Sequence, residues 1–220
     1  MTKKAPEKFR ASVFINCPLD EEYKLLLRPM LFTLVYVGLV PRLASDTSDS
    51  HEQRIEKILR LIKECKYSIH DLSRLKSERA NEFSRLNMPF ELGIEYGCRR
   101  IAKNHLRTKR SLIFEKTRYD IQKALSDLNG VDVKCHNNKP AQIVRALQHW
   151  LIETVGLNDI ESPSLIWRKF NKFNDDFIER RKTHGYSKSD LRMMPVPQYI
   201  RFIAHWVASN DDVQAANFNH

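Results

Sequence analysis

Ala11-Ser12-Val13-Phe14-Ile15-Asn16-Cys17-Pro18 is the stretch from which the fold is read. Six residues of mostly apolar, β-prone character run into a proline that cannot continue a ladder, which predicts a buried strand with a polar carboxyl end at Asn16. A buried strand of this kind belongs in a parallel sheet when helices alternate with further strands along the chain. They do. A helix is predicted over residues 20–37, stopped by Gly38. Val40–Ala44 reads as a second strand, and Ser50 with Gln53 fits a capping box for a helix carrying Ile55, Ile58, Leu59 and Ile62 on one face. Tyr67-Ser68-Ile69-His70-Asp71 reads as a third strand ending in an acid, with His70 packed on the strand's opposite face. A polar loop follows over residues 73–87.

The next helix is predicted to start at Pro89, a residue favoured at the first helical position, with Phe90, Ile94, Gly97, Cys98 and Ile101 facing the sheet. Ser111–Glu115, a short helix over 119–128, Val131–Cys135 and a long amphipathic helix over 140–155 complete five strands and five helices. The fold class is therefore α/β, with a five-stranded parallel sheet flanked by helices over residues 9–156. Beyond Ser162-Pro163 no strand is evident. Leu165, Phe170, Phe173, Phe177 and Ile178 predict one helix and the run from Pro197 another, a C-terminal helical extension over 162–220.

Composition narrows the function classes. At 42% apolar, the 220-residue chain carries enough hydrophobic content for a real core, which argues against a disordered chain. No apolar run reaches the ~20 residues a spanning helix needs, and the start lacks an apolar signal-peptide core, so the expected location is cytoplasmic and no membrane partner is expected. Cys17, Cys65, Cys98 and Cys135 are too scattered for a metal-ligand pattern, and Glu91 with Glu95 lacks a His or Cys at suitable spacing, so no metal is expected. Neither GxGxxG nor a P-loop is present. The net charge of +10 is spread along the chain. Its one concentration, Arg99, Arg100, Lys103, Arg107, Lys109 and Arg110, offers a stripe for a polyanion such as nucleic acid.

Open parallel sheets bind ligands beyond the carboxyl ends of their strands. The positions falling there are Asn16, Cys17 and Pro18, Asp46, Asp71 and Ser73, and Asn137, with Asp132 clustered around the last strand. Glu91 joins them from the first turn of its helix, where free amides and the helix dipole favour an ionised carboxylate. A buried strand end is an expensive place for Asp71 unless it is paired or used; capping the next turn is its structural alternative.

Val13-Phe14-Ile15-Asn16-Cys17-Pro18, Ile69-His70-Asp71-Leu72 and Pro89-Phe90-Glu91-Leu92-Gly93 resemble nucleoside 2-deoxyribosyltransferases and the related bacterial Toll/interleukin-1-receptor (TIR)-like domains that cleave NAD. The likeness covers residues 11–155. It implies a flavodoxin-like (TIR-like) sheet, Glu91 as the carboxylate attacking or stabilising the sugar's anomeric carbon, and Asp71 binding or protonating the base. Phe14 stands where the transferases carry a tyrosine, and Met88-Pro89 replace a Gly-Thr, which moves the expectation from deoxyribosyl exchange towards hydrolysis. The resemblance thus implies a hydrolase of the N-glycosidic bond of NAD or a related nucleotide, an effector role in antiphage defence, and a homo-oligomer or defence-system partner. The substrate-binding set is Phe14, Asn16, Cys17, Pro18, Asp46, Ser73, Asp132 and Asn137, with NAD or a nucleotide as substrate and no separate cofactor. Alternatives are an inactive nucleotide-sensing module signalling through the helical tail and a nucleoside 2-deoxyribosyltransferase.

Overall fold

A computed structural model describes residues 6–77 and 85–210; residues 78–84 of the polar loop expected over 73–87 lie outside them. In chain order the elements are α1 (Glu7–Ala11), β1 (Ser12–Asn16), α2 (Lys24–Tyr36), β2 (Val40–Arg42), α3 (Arg54–Glu64), β3 (Tyr67–Asp71), α4 (Asn87–Ile101), β4 (Arg110–Glu115), α5 (Asp120–Ala124), β5 (Val133–Cys135), α6 (Pro140–Trp150), α7 (Pro163–Thr183), α8 (Lys188–Met193) and α9 (Val196–Asn210). The five strands form one all-parallel sheet in the order β2-β1-β3-β4-β5. That order is the flavodoxin-like one, in which the winding reverses between β1 and β3.

The chain divides into two compact units. One holds the residues up to Pro18 and Val40–Lys139; the other holds Leu19–Leu39 and the residues from Pro140 onward. The division therefore differs from the expected boundary near Gly156, because α2 and α6 group with the C-terminal helices. The physical cause is aromatic packing inside the helical unit. Phe32 of α2 stacks on Tyr36 and meets Phe170 and Phe173 of α7 and Trp206 of α9, all with ring centroids within 5.8 Å. Aromatic side chains bury about 150–250 Å² each, and their pairs add about 0.5–1.5 kcal/mol beyond that area. Ser162, read from the sequence only as part of a boundary, caps α7 with Pro163 behind it. The short α8, closed by a Ser187/Asp190 capping box, was not anticipated.

In the sheet unit, strand period two sends Phe14 and Asn16 of β1 and Ser68 and His70 of β3 to one face, with Phe14 beside Ser68 and Asn16 beside His70 in register. On this face Phe14 packs with Ile58, Leu61 and Ile62 of α3 and Cys65, flanked by Ile94 and Cys98 of α4. A second cluster joins Leu72, Met88 and Leu92 to Ile113 and Ile121.

Two local expectations are corrected. Helix α3 begins at Arg54 with Gln53 as its cap residue and no side-chain cap bond, so Ser50 caps nothing there. Helix α4 begins at Asn87, two residues before Pro89, and its buried residues are Met88, Glu91, Leu92 and Glu95. Phe90 and Ile101 are 61% and 80% exposed. The inward face keeps Ile94 and Cys98 of the expected stripe but not Phe90 or Ile101, and it brings two carboxylates to the sheet. Pro89 is tolerated at the third helical position because the first four amides have no partner inside a helix.

Candidate functional site

The candidate site lies where β1 and β3 end, at the winding reversal. Glu91 comes from α4, is 3% exposed, and its Oε1 lies 3.3 Å from the guanidinium of Arg54, the first residue of α3. Asn87, one turn earlier, also hydrogen-bonds the carboxyl. Glu91 is the fifth residue of α4, outside the first turn, so the amides expected to hold it ionised are not adjacent. Burial instead pushes its carboxyl above the ordinary value, and the positive charge of Arg54 opposes that rise.

Beneath Glu91 runs a fully buried polar chain. The Asn16 side-chain amide donates to the Met88 carbonyl at 2.9 Å and lies 3.1 Å from His70 Nδ1. His70 Nε2 is 2.9 Å from Glu95 Oε2. Glu95 Oε1 accepts from the Ser68 hydroxyl at 2.7 Å and lies 3.2 Å from the ammonium of Lys109. Lys109 also donates to the carbonyls of Ile62 and Cys65, closing the carboxyl end of α3, where a cation complements the helix dipole. Burial works against a charged Glu95. The hydrogen bond from His70, then the ammonium of Lys109 and the Ser68 hydroxyl, outweigh it and hold this carboxyl below the ordinary carboxylate range. Asn16 is 2% exposed, and its Oδ1 has no hydrogen-bond partner among the described residues.

Asp71 points to the other face. It is fully buried, accepts from the Ser73 amide at 2.9 Å, and lies 3.2 Å from His136 Nε2, a contact bent outside hydrogen-bond geometry. Capping the next turn is thus one of its tasks, whereas the hydrogen-bond partners of Glu91 are Arg54 and Asn87. His70 does sit on the face opposite Asp71, as its place in the strand implied, and that face is the one α4 covers.

The remaining expected residues disperse. Phe14 is wholly buried in the α3 cluster, a core side chain and not a ligand contact; a ring that faces two helices has no surface left for a substrate. Cys17 and Pro18 are buried at the end of β1. Asp46 accepts from the Leu43 amide at 2.8 Å and shapes its own loop, and burial raises its carboxyl. Ser73 is half-buried beside Asp71. Asp132 is exposed and precedes outer strand β5, so it lies on the entering side of that strand and away from its carboxyl end. Asn137 is exposed in a left-handed turn with φ 50°.

Lys109 corrects the proposed basic stripe: it is fully buried and spent on Glu95 and α3, whereas Arg99, Arg100, Lys103, Arg107 and Arg110 stay exposed. Among the described residues no group of His, Cys, Asp and Glu is arranged to hold a metal ion, and no helix is long and apolar enough to cross a membrane. A depression of about 440 Å³ beside the start of α3 is lined by Asp49, His51, Glu52, Gln53 and Glu56, whose acids suit an anionic ligand poorly.

Sequence reasoning overlooked Arg54, Ser68 and Lys109 as parts of the site. The readable signals were the Ser68-x-His70 alternation on one strand face and the Glu91/Glu95 spacing of one helical turn.

Fold and site together define a flavodoxin-like α/β sheet protein with a buried carboxylate at its winding reversal. Comparison of the chain with protein-family models, with curated proteins and with solved structures finds no match.

Proposed function

We propose that the chain is a hydrolase of the N-glycosidic bond of NAD or a related nucleotide. The observation that carries this reading is a buried Glu91 together with an Asn16 acceptor that has no partner among the described residues, at the ends of β1 and β3, the place where open sheets of this order take nucleotide-like ligands.

Cleavage proceeds through an oxocarbenium-like sugar cation. In NAD the C1′–N bond breaks with its electron pair going to the pyridinium nitrogen, so nicotinamide leaves neutral and needs no acid. Asp71, occupied with Ser73 and His136, is then not required as a proton donor. Glu91 meets the developing cation. A carboxylate that burial has destabilised gains most when positive charge forms beside it, because little water screens the pair. Water adds its hydroxyl to C1′, and its proton passes to Glu91 and on to solvent. Arg54, half exposed and bound to Glu91, must release the carboxylate for this; a nucleotide phosphate is a competing partner for its guanidinium.

The test is incubation of the full chain with NAD and, separately, with nucleosides, followed by chromatography. Nicotinamide and ADP-ribose are expected from the wild-type chain, with Glu91→Gln slower by about 10³-fold or more. Product formation indifferent to Glu91→Gln overturns the assignment. Nucleotide binding without product in either protein replaces it with a nucleotide-sensing module.

A further inference from the structure

The Asn16–His70–Glu95 chain fixes more than packing. The Met88 carbonyl can only accept, so the Asn16 atom 2.9 Å away must be the nitrogen, and the orientation of the amide is decided. The second hydrogen of that nitrogen faces His70 Nδ1 at 3.1 Å. A ring nitrogen that accepts carries no proton. The His70 proton therefore sits on Nε2 and is donated to Glu95 Oε2, 2.9 Å away. Glu95 is itself held by Ser68 and Lys109. Every donor of Asn16 is thereby committed, and its Oδ1, buried and unpartnered among the described residues, can only accept.

We propose that His70 is a positioning residue that locks Asn16 as an acceptor, and that the site consequently selects ribosyl over 2-deoxyribosyl ligands. The inference rests on the functional reading above. The 2′-hydroxyl is the sugar donor on the carbon next to C1′, the atom assigned to Glu91. A ligand that lacks it leaves Oδ1 without a donor, and an unsatisfied buried carbonyl is penalised. Glu95, Ser68 and Lys109 act one step further out by holding His70, as outer-shell groups hold a metal-binding histidine.

Two measurements test this on the full chain. Nitrogen-15 NMR of the His70 ring is expected to show a neutral imidazole protonated at Nε2; protonation at Nδ1 overturns the lock whatever the protein binds. Calorimetric titration of Glu91→Gln, used to stop turnover, compares NAD with the analogue lacking the 2′-hydroxyl of the nicotinamide ribose. NAD is expected to bind about tenfold tighter, the worth of one hydrogen bond.

Adding His70→Gln, which reaches towards Glu95 but offers Asn16 no acceptor at the Nδ1 position, should bring that ratio to about one. Adding His70→Asn, which restores an acceptor there, should recover it. Equal binding of the two dinucleotides by Glu91→Gln overturns the selectivity, as does an unchanged ratio in a folded His70→Gln variant. A merely structural His70 would weaken both ligands alike. Binding of neither dinucleotide would reject the functional reading and the selectivity with it, while the NMR result still decides the lock. Should the His70 variants fail to fold, the ring measurement and the Glu91→Gln ratio still decide.

Discussion

Replacing Lys109 by Met tests whether the polar chain under Glu91 is held together by a buried ion pair. The two side chains have similar length, so the change removes the ammonium while leaving little cavity. Glu95, 2% exposed at its side chain, would lose a cation 3.2 Å away, and the Ile62 and Cys65 carbonyls at the end of α3 would lose their donor. Removing one partner of a buried pair costs about 3–5 kcal/mol because the other charge remains desolvated.

In Lys109→Met/Glu95→Gln that charge is gone, and only the two carbonyls stay short of a donor, a penalty of about 1–3 kcal/mol. The cycle should therefore show a coupling of about 2 kcal/mol or more. All three tryptophans, Trp150, Trp167 and Trp206, belong to the helical unit, so their fluorescence would follow the wrong part of the molecule. Amide hydrogen exchange at β3, read as a local opening free energy, reports on the right one. A single variant within 1 kcal/mol of wild type, or a double variant no more stable than Lys109→Met, would refute the reasoning.

Glu91 makes a pH prediction of definite sign. Its folded value is raised above the ordinary 4.5 by burial, with Arg54 opposing, so the associated stability is complete below 4.5 and is lost as pH rises through the raised value. Glu91→Gln should gain on wild type in thermal melts between pH 4 and pH 8; a difference that is flat, or that runs the other way, contradicts the burial argument. Cys65, wholly buried, has its thiol pushed up to about 12 by burial against the pull of Lys109. It should resist iodoacetamide at pH 8 in the native chain while the partly exposed Cys135 reacts, and equal labelling would show that the α3 end is open.

Much of the architecture was legible because it is written in local chemistry. Tyr67–Asp71 forms the strand expected of it, and the alternation of strands with helices leads to a parallel sheet. Glu91 was identified as a residue beside the strand ends, and it is one. Its surroundings were not legible, because the stripe expected of α4 ran through Phe90 and Ile101, which the fold leaves exposed, as well as through Ile94 and Cys98, which do pack on the α3 cluster. Turning the helix so that Met88 and Leu92 reach Leu72, Ile113 and Ile121 carries Glu91 and Glu95 inward with them. Two apolar contacts thus decide the position of two carboxylates.

By itself, then, the amino-acid sequence determined which segments pair into the sheet, the apolar runs and their breakers, and the presence of an acid near its carboxyl edge. Only the tertiary structure decided that His70, on the face opposite Asp71, shares the side of Glu91, and that Lys109 leaves the basic stripe to close a buried chain from α3 to Asn16. The reason is range. Strand and helix propensity act over a few residues, whereas a buried charge is stabilised by whichever partner the packing delivers. Here those partners stand 25 residues away for His70 and Glu95 and 54 for Asn16 and His70.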